Sequence, residues 1–212
     1  TQNQAFSALM FLYKKVLKIE LDGKINAVRA KRPKRRPVIL TADEVFRIAE
    51  AMEDEEYRLM IELLYGCGFR LKELMGMRVK EVDFGNREIV ICDGKGMKDR
   101  VTMLPEELVK PLEDHLKKVK TLHDKDIANG YGYTVVPDAL DRKFPEAPRE
   151  WKWQFVFPAS RLCNDPKTGR LVRYHRHGST HQKALRRAVR KTGITKRVTC
   201  HTFRHSFATH LL

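Results

Sequence analysis

No apolar run in this 212-residue chain approaches the roughly 18 residues that a membrane-spanning helix needs. The opening residues, TQNQAFSALM, lack the basic segment and the small-residue cleavage site of a secretory signal. Cysteine is scarce, with four residues at 67, 92, 163 and 200 and no CxxC pair. That spacing argues against a zinc module or a secreted disulfide scaffold and points to a reducing compartment. No HExxH or mixed Cys/His ligand spacing is present, so the eight histidines do not read as a metal set. Neither an internal repeat nor a low-complexity tract is visible. With 42% hydrophobic and 33% charged residues, the composition is that of a folded globular protein.

Acidic residues are missing where they matter most. Residues 166–212 contain twelve Lys/Arg and no Asp or Glu, and residues 1–36 contain ten against two. The middle of the chain is slightly acidic, so the net charge of +15 is carried by the two ends. Such a concentration of cations suits a nucleic-acid partner, because each neutralised phosphate releases counterions. A protein that is merely basic would share the total charge.

Along the chain, residues 5–19 read as a helix with apolar positions near a 3.6-residue period. Residues 29–37, RAKRPKRRP, read as a basic, proline-punctuated linker. Thr41 and Glu44 form a capping box ahead of a new helix. A helix over about 56–65 stops at Gly66-Cys67-Gly68, and another runs from Leu71 to Met77. Residues 88–92 and 100–104 are predicted as strands of a hairpin turned at Asp93-Gly94-Lys95-Gly96. Helices are expected over 106–120, 180–191 and 199–212, the last capped by Thr199. Residues 124–177, rich in proline, are the least regular part. In the last helix Phe203, Phe207 and Leu211 are expected to face a core.

Three groups could carry chemistry. In GCGFRLKEL, Arg70 starts a helix directly after a glycine break. The helix N-terminus favours anions, the guanidinium adds a bidentate fork, and Glu73 could hold it in place. An exposed Arg–Glu pair at a helix start explains the same residues. In GKGMKDR, Lys95 sits at a glycine-flanked tip, where neighbouring cations can lower its pKa and make it a proton donor. A solvated turn explains that equally well. In HTFRH, His201 and Arg204 are three residues apart, so they share a helix face, with His205 close by.

Taken in order, GCGFRLKEL, GKGMKDR and HTFRHSFATHLL resemble the boxes of the tyrosine recombinase (phage integrase) family, over residues 37–212. The segment PDALDRKFPEAPREWKWQFVFPASR is similar to an extra element of integron integrases. The resemblance implies a mainly α, α+β fold: a helical catalytic domain over 39–212 with a small antiparallel sheet and an insertion near 124–177. Residues 1–28 would be the end of a helical core-binding domain, and 29–38 the linker. It also implies roles. Arg70 and Arg204 would grip the scissile phosphate, Lys95 would protonate the leaving 5′-oxygen, His201 would assist proton transfer, and Glu73 would support Arg70. The family needs no cofactor and no metal, because arginines stabilise the charge-rich transition state. It works as a homotetramer assembled on DNA, here in a bacterial cytoplasm. Integron integrases join gene cassettes using folded single-stranded hairpins with extrahelical bases.

The family's nucleophilic tyrosine lies about thirty residues past the HxxR box. None of the six tyrosines here, at 13, 57, 65, 131, 133 and 174, matches that position, so the resemblance puts the nucleophile beyond Leu212. Cys200 stands where the family commonly has proline. Trp151, Trp153, Phe155 and Phe157 alternate, as in a strand with one buried face. The competing reading makes Trp151, Trp153, His175 and His177 stacking platforms for extruded bases. Backbone phosphates would meet Lys31, Arg32, Lys34, Arg35 and Arg36, and Lys183, Arg186, Arg187, Arg190 and Lys191. A DNA-binding module without chemistry is the alternative, although mere binding would not need the whole set of Arg70, Lys95, His201 and Arg204. An RNA-binding role is less favoured, since nothing resembles an RNA-binding fold.

Overall fold

The computed structural model describes residues 2–19, 28, 30, 36–92 and 99–211, with the backbone alone at 138 and 139. Two compact units divide the chain, residues 1–36 and 37–212. The first contains α1 (Gln2–Phe11), which continues as a wider, π-type turn over Leu12–Leu17. The Asn3 side chain holds Ala30 at both its backbone N–H and its carbonyl, each at 3.0 Å. The helix predicted over 5–19 is therefore present, but it changes pitch at Leu12.

The second unit is mainly helical, as the sequence predicts. Its helices are α2 (Ala42–Glu50), α3 (Glu55–Gly66), α4 (Leu71–Gly76), α5 (Glu106–Ala128), α6 (Asp138–Lys143), α7 (Gly178–Thr192) and α8 (Cys200–His210). Helix α3 is its centre: Leu59, Met60, Ile61, Leu63 and Leu64 are all buried, and α2, α4, α5 and α8 pack around it. The capping box is realised. Thr41 N–H donates to Glu44 Oε2 at 2.8 Å, and Glu44 N–H to Thr41 Oγ1 at 3.2 Å. Buried Ser206 of α8 accepts from the Leu40 N–H at 2.9 Å, which ties the start of this unit to its last helix.

Strands β1 (Val82–Asp83), β2 (Glu88–Ile91) and β3 (Arg100–Met103) form an antiparallel sheet in the order 1-2-3, with Ile91 opposite Arg100. A second, two-stranded sheet pairs β4 (Cys163–Asn164) with β5 (Leu171–Val172). No helix among the described residues is long and apolar enough to cross a membrane.

Three expectations are corrected. Helix α5 runs eight residues past its predicted end at 120. Its inward stripe continues through Val119, His123 and Asp126, and those last two polar residues hide the periodicity. Asp126 is buried because Arg173 binds both its oxygens, at 2.5 and 2.8 Å. Secondly, Trp151–Trp153 is a 3₁₀ turn, not a strand, and the next four residues are all buried without alternation. Thirdly, Leu211 is 65% exposed, so the apolar face of α8 ends at half-buried Phe207.

His181, in the first turns of α7, is fully buried, and neither ring nitrogen has a hydrogen-bond partner. Burial drives its pKa down from 6.5 to about 4. The unfolded chain therefore takes up this proton more readily than the folded one. The stabilising difference is fully present above about pH 6.5 and is lost as the pH falls toward 4, amounting to about 3 kcal/mol. Urea unfolding at pH 7 and pH 4.5 should show this loss, and His181→Leu should flatten it. An unchanged pH slope in the variant would exclude His181 as the cause.

Candidate functional site

The α3–α4 junction is shaped by Gly68. Its φ of +61° lies in the left-handed region, and a Cβ there would sit 2.4 Å from the Phe207 ring. This lets α8 close directly over the junction. Arg70 then serves as the N-cap of α4, and its N–H donates to Glu73 Oε2 at 2.8 Å. The Arg70 guanidinium donates to the other oxygen, Oε1. From α8, Arg204 donates to the Gly68 carbonyl and stands 3.7 Å from Glu73 Oε2. A third guanidinium, that of Arg100 on β3, donates to the same Glu73 oxygen at 2.9 Å and to the same carbonyl at 3.4 Å.

Three cations thus converge on one carboxylate. The Glu73 side chain is only 7% exposed, whereas those of Arg70, Arg100 and Arg204 are 35%, 32% and 30% exposed. Negative charge lies beneath and positive charge faces outward, leaving two uncompensated charges among the four groups. Burial pushes the Glu73 carboxyl up, but the Arg70 N–H and the guanidiniums of Arg70 and Arg100 outweigh it and hold it below its ordinary value. Burial lowers the pKa of Arg204, and repulsion from Arg70 and Arg100 adds to this against the pull of Glu73. Arg204 stays charged nonetheless, since a guanidinium is not deprotonated in proteins. The cluster is built to receive an anion with several oxygens. Because α4 has only six residues, guanidiniums rather than peptide dipoles supply the field.

His201 lies one helical turn before Arg204 and is exposed, as is His205. Lys95 lies outside the described residues, as do Lys31, Arg32, Lys34 and Arg35; Arg36 is exposed. On α7 the cations Lys183, Arg186, Arg187, Arg190 and Lys191 are all exposed, opposite a buried face of His181, Ala184, Leu185 and Ala188. Lys191 is also paired with Glu53 at 2.5 Å.

The four aromatic candidates separate. Trp153 and His175 line a cleft of about 550 Å³ that also reaches Glu73 and Lys72. There Lys80 Nζ sits 3.6 Å from the Trp153 ring centre, and His175 packs on Tyr174 and Phe155 at 4.2 and 5.2 Å. Trp151 turns away, packing on His123 at 5.8 Å and against the main core. His177 caps α7 by accepting from the Ser179 N–H at 3.2 Å. Sequence reasoning did not single out Arg100, Arg78 or Lys80. Arg100 lies within the GKGMKDR box, but only the register of β3 aims it at Glu73. Arg78 is placed under the aromatics by hydrogen bonds to the carbonyls of Trp153 and Val135, at 2.5 and 2.7 Å.

Residues 39–212 match the phage integrase family. The chain belongs to that family. It is 45% identical over its whole length to an integrase/recombinase of Escherichia coli, and it spans 63% of that relative. A tyrosine recombinase XerA of Pyrococcus furiosus is 29% identical over 85% of this chain and 50% of its own length. Among solved structures, XerA recombinase superposes with a TM-score of 0.58 at 27% identity, covering 100% of this chain and 62% of that one. XerH bound to its difH substrate shares the fold, with a TM-score of 0.58 at 20% identity, covering 99% of this chain and 53% of that one.

Proposed function

We propose that this chain is the larger part of a site-specific DNA recombinase that cuts and rejoins strands through a 3′-phosphotyrosine bond. The single observation that carries this reading is the convergence of Arg70, Arg100 and Arg204 over Glu73, an anion cradle in a member of a DNA-recombining family. The guanidiniums of Arg70 and Arg204 bind the non-bridging oxygens of the scissile phosphate, whose charge grows in the transition state. A tyrosine C-terminal to Leu212 attacks phosphorus. Its hydroxyl proton leaves with the help of His201. The bond from phosphorus to the 5′-oxygen breaks, and Lys95 protonates that oxygen. Energy is conserved in the phosphotyrosine ester, and reversal of the same steps with a new 5′-hydroxyl rejoins the strands. Residues 1–28 end a core-binding domain, 29–38 link it to the catalytic domain, and four protomers assemble on DNA.

The substrate we assign is the integron type, a folded single strand with extrahelical bases. The cleft beside Glu73 supports this, since Trp153 and His175 line it and an unpaired base needs an aromatic face. Trp151 and His177 have structural duties and drop out of that role. The exposed cations of α7 meet phosphates. The test uses the full-length protein on a bulged hairpin and on its perfectly paired counterpart, at fixed salt. The hairpin should bind about tenfold or more tightly, since a stacked base contributes roughly 1–3 kcal/mol. It should also give more covalent protein–DNA adduct. Trp153→Ala should erase the preference and leave duplex binding nearly unchanged. Equal binding of both substrates removes the integron assignment, and absence of any adduct removes the recombinase reading.

A further inference from the structure

Glu73 Oε2 is a crowded acceptor. It takes the Arg70 N–H at 2.8 Å and Arg100 Nη2 at 2.9 Å. A carboxylate oxygen has about two lone-pair sites, so these two donors fill it. The other oxygen, Oε1, takes the Arg70 guanidinium. Arg204 Nη1 stands 3.7 Å from Oε2, too far for a hydrogen bond, and donates to the Gly68 carbonyl instead. Repulsion from Arg70 and Arg100 acts against a closer approach. Arg100 Nη2 also lies 3.4 Å from that carbonyl, so it stands beside both groups that Arg204 could bind. Two arginines therefore compete for one oxygen of a carboxylate that is only 7% exposed, and the one from β3 holds it.

We propose that Arg100 is a positioning residue that keeps Arg204 available for the scissile phosphate: by occupying Glu73 Oε2, it prevents Arg204 from pairing with that carboxylate. This rests on the reading of Arg204 as a phosphate ligand. Without Arg100, Oε2 has an open site and the carboxylate has lost one of its cations. Arg204 then needs to move only about 1 Å to reach the roughly 2.7–2.9 Å of a charge-assisted hydrogen bond. The pull is strong because a carboxylate so little exposed is poorly screened by water. A guanidinium engaged there is spent on Glu73, and a displacement of about 1 Å in a catalytic group costs on the order of 10²-fold in rate.

Measurements on the full-length protein test this, one of them independent of activity. A crystal structure of Arg100→Met should show Arg204 bonded to Glu73 Oε2. Single-turnover cleavage by this variant should be about 10–100-fold slower than by the parent. Glu73→Gln puts a neutral amide in place of the carboxylate and removes its pull on a guanidinium. Adding Arg100→Met to Glu73→Gln should therefore cost no more than about threefold beyond Glu73→Gln alone. An arginine that touched the phosphate itself would cost its full factor in both backgrounds. Thr102, two residues along on the same face of β3, donates to the Cys67 carbonyl at 2.9 Å and so ties the strand to the end of α3. Thr102→Val cuts that tie, which shares no partner with the cradle, and should leave cleavage within about threefold. If Arg100 served only to anchor β3, the two losses would match. Any one of three results overturns the proposal: Arg204 still on the Gly68 carbonyl alone in Arg100→Met, additive losses with Glu73→Gln, or a matching loss in Thr102→Val. The reading beneath it fails separately, when Arg204→Ala cleaves as fast as the parent. Should Arg100→Met fail to fold, Arg100→Leu, also uncharged, must meet the same three requirements.

Discussion

Replacing Arg204 with alanine in the full-length protein is expected to lower strand cleavage by about 10²–10³-fold, the usual cost of losing one donor to a developing oxyanion. The cradle explains why no neighbour compensates. Arg204 comes from α8 and donates to the Gly68 carbonyl, whereas Arg70 and Arg100, from a helix start and a strand, are hydrogen-bonded to Glu73. Removing Arg204 takes away one of the three guanidiniums of the cradle, and the two that remain stay tied to Glu73. DNA affinity should change far less if, as proposed, the exposed cations of α7 meet phosphates independently of this arginine. Single-turnover cleavage and gel-shift titration of the same preparations separate the two quantities. If affinity falls as far as cleavage does, Arg204 is a binding residue and has no particular role in the transition state.

Gly68→Ala should be the most damaging single methyl group in the site. The position has φ +61°, and the added carbon would meet the Phe207 ring at 2.4 and 2.5 Å. The left-handed conformation costs a non-glycine residue about 1 kcal/mol, and overpacking adds typically 1–3 kcal/mol. Together these predict a loss of about 2–4 kcal/mol in urea unfolding. The functional effect should be larger than that stability loss implies. Pushing Phe207 away moves α8, and the Gly68 carbonyl is what holds Arg204 and Arg100. Cleavage should therefore be strongly reduced under conditions where the variant remains folded. Phe207→Ala combined with Gly68→Ala should recover part of the loss by making room for the methyl group. A Gly68→Ala protein of parental stability and activity would show that the junction relaxes freely.

The sequence by itself determined the mainly α class with a small antiparallel sheet, because the signals involved are local. Thr41 and Glu44 cap α2 through neighbouring atoms, Gly66 to Gly68 break a helix wherever they occur, and β2 and β3 lie on either side of the glycine-bearing sequence Asp93-Gly94-Lys95-Gly96. It also determined the family, since three short boxes in fixed order are a one-dimensional pattern. Its failures came where periodicity was masked or where packing overrode alternation. His123 and Asp126 carry the buried stripe of α5, yet they look polar until Arg173 is placed against the aspartate from 47 residues away. Trp151 and Trp153 are two apart, as strand neighbours would be, yet a 3₁₀ turn sends them to different partners. Only the tertiary structure decided that Arg70, Arg100 and Arg204, drawn from a helix start, a strand and a distant helix, share one carboxylate. That choice depends on how closely α8 approaches Gly68, a distance set by packing and not by any local preference along the chain.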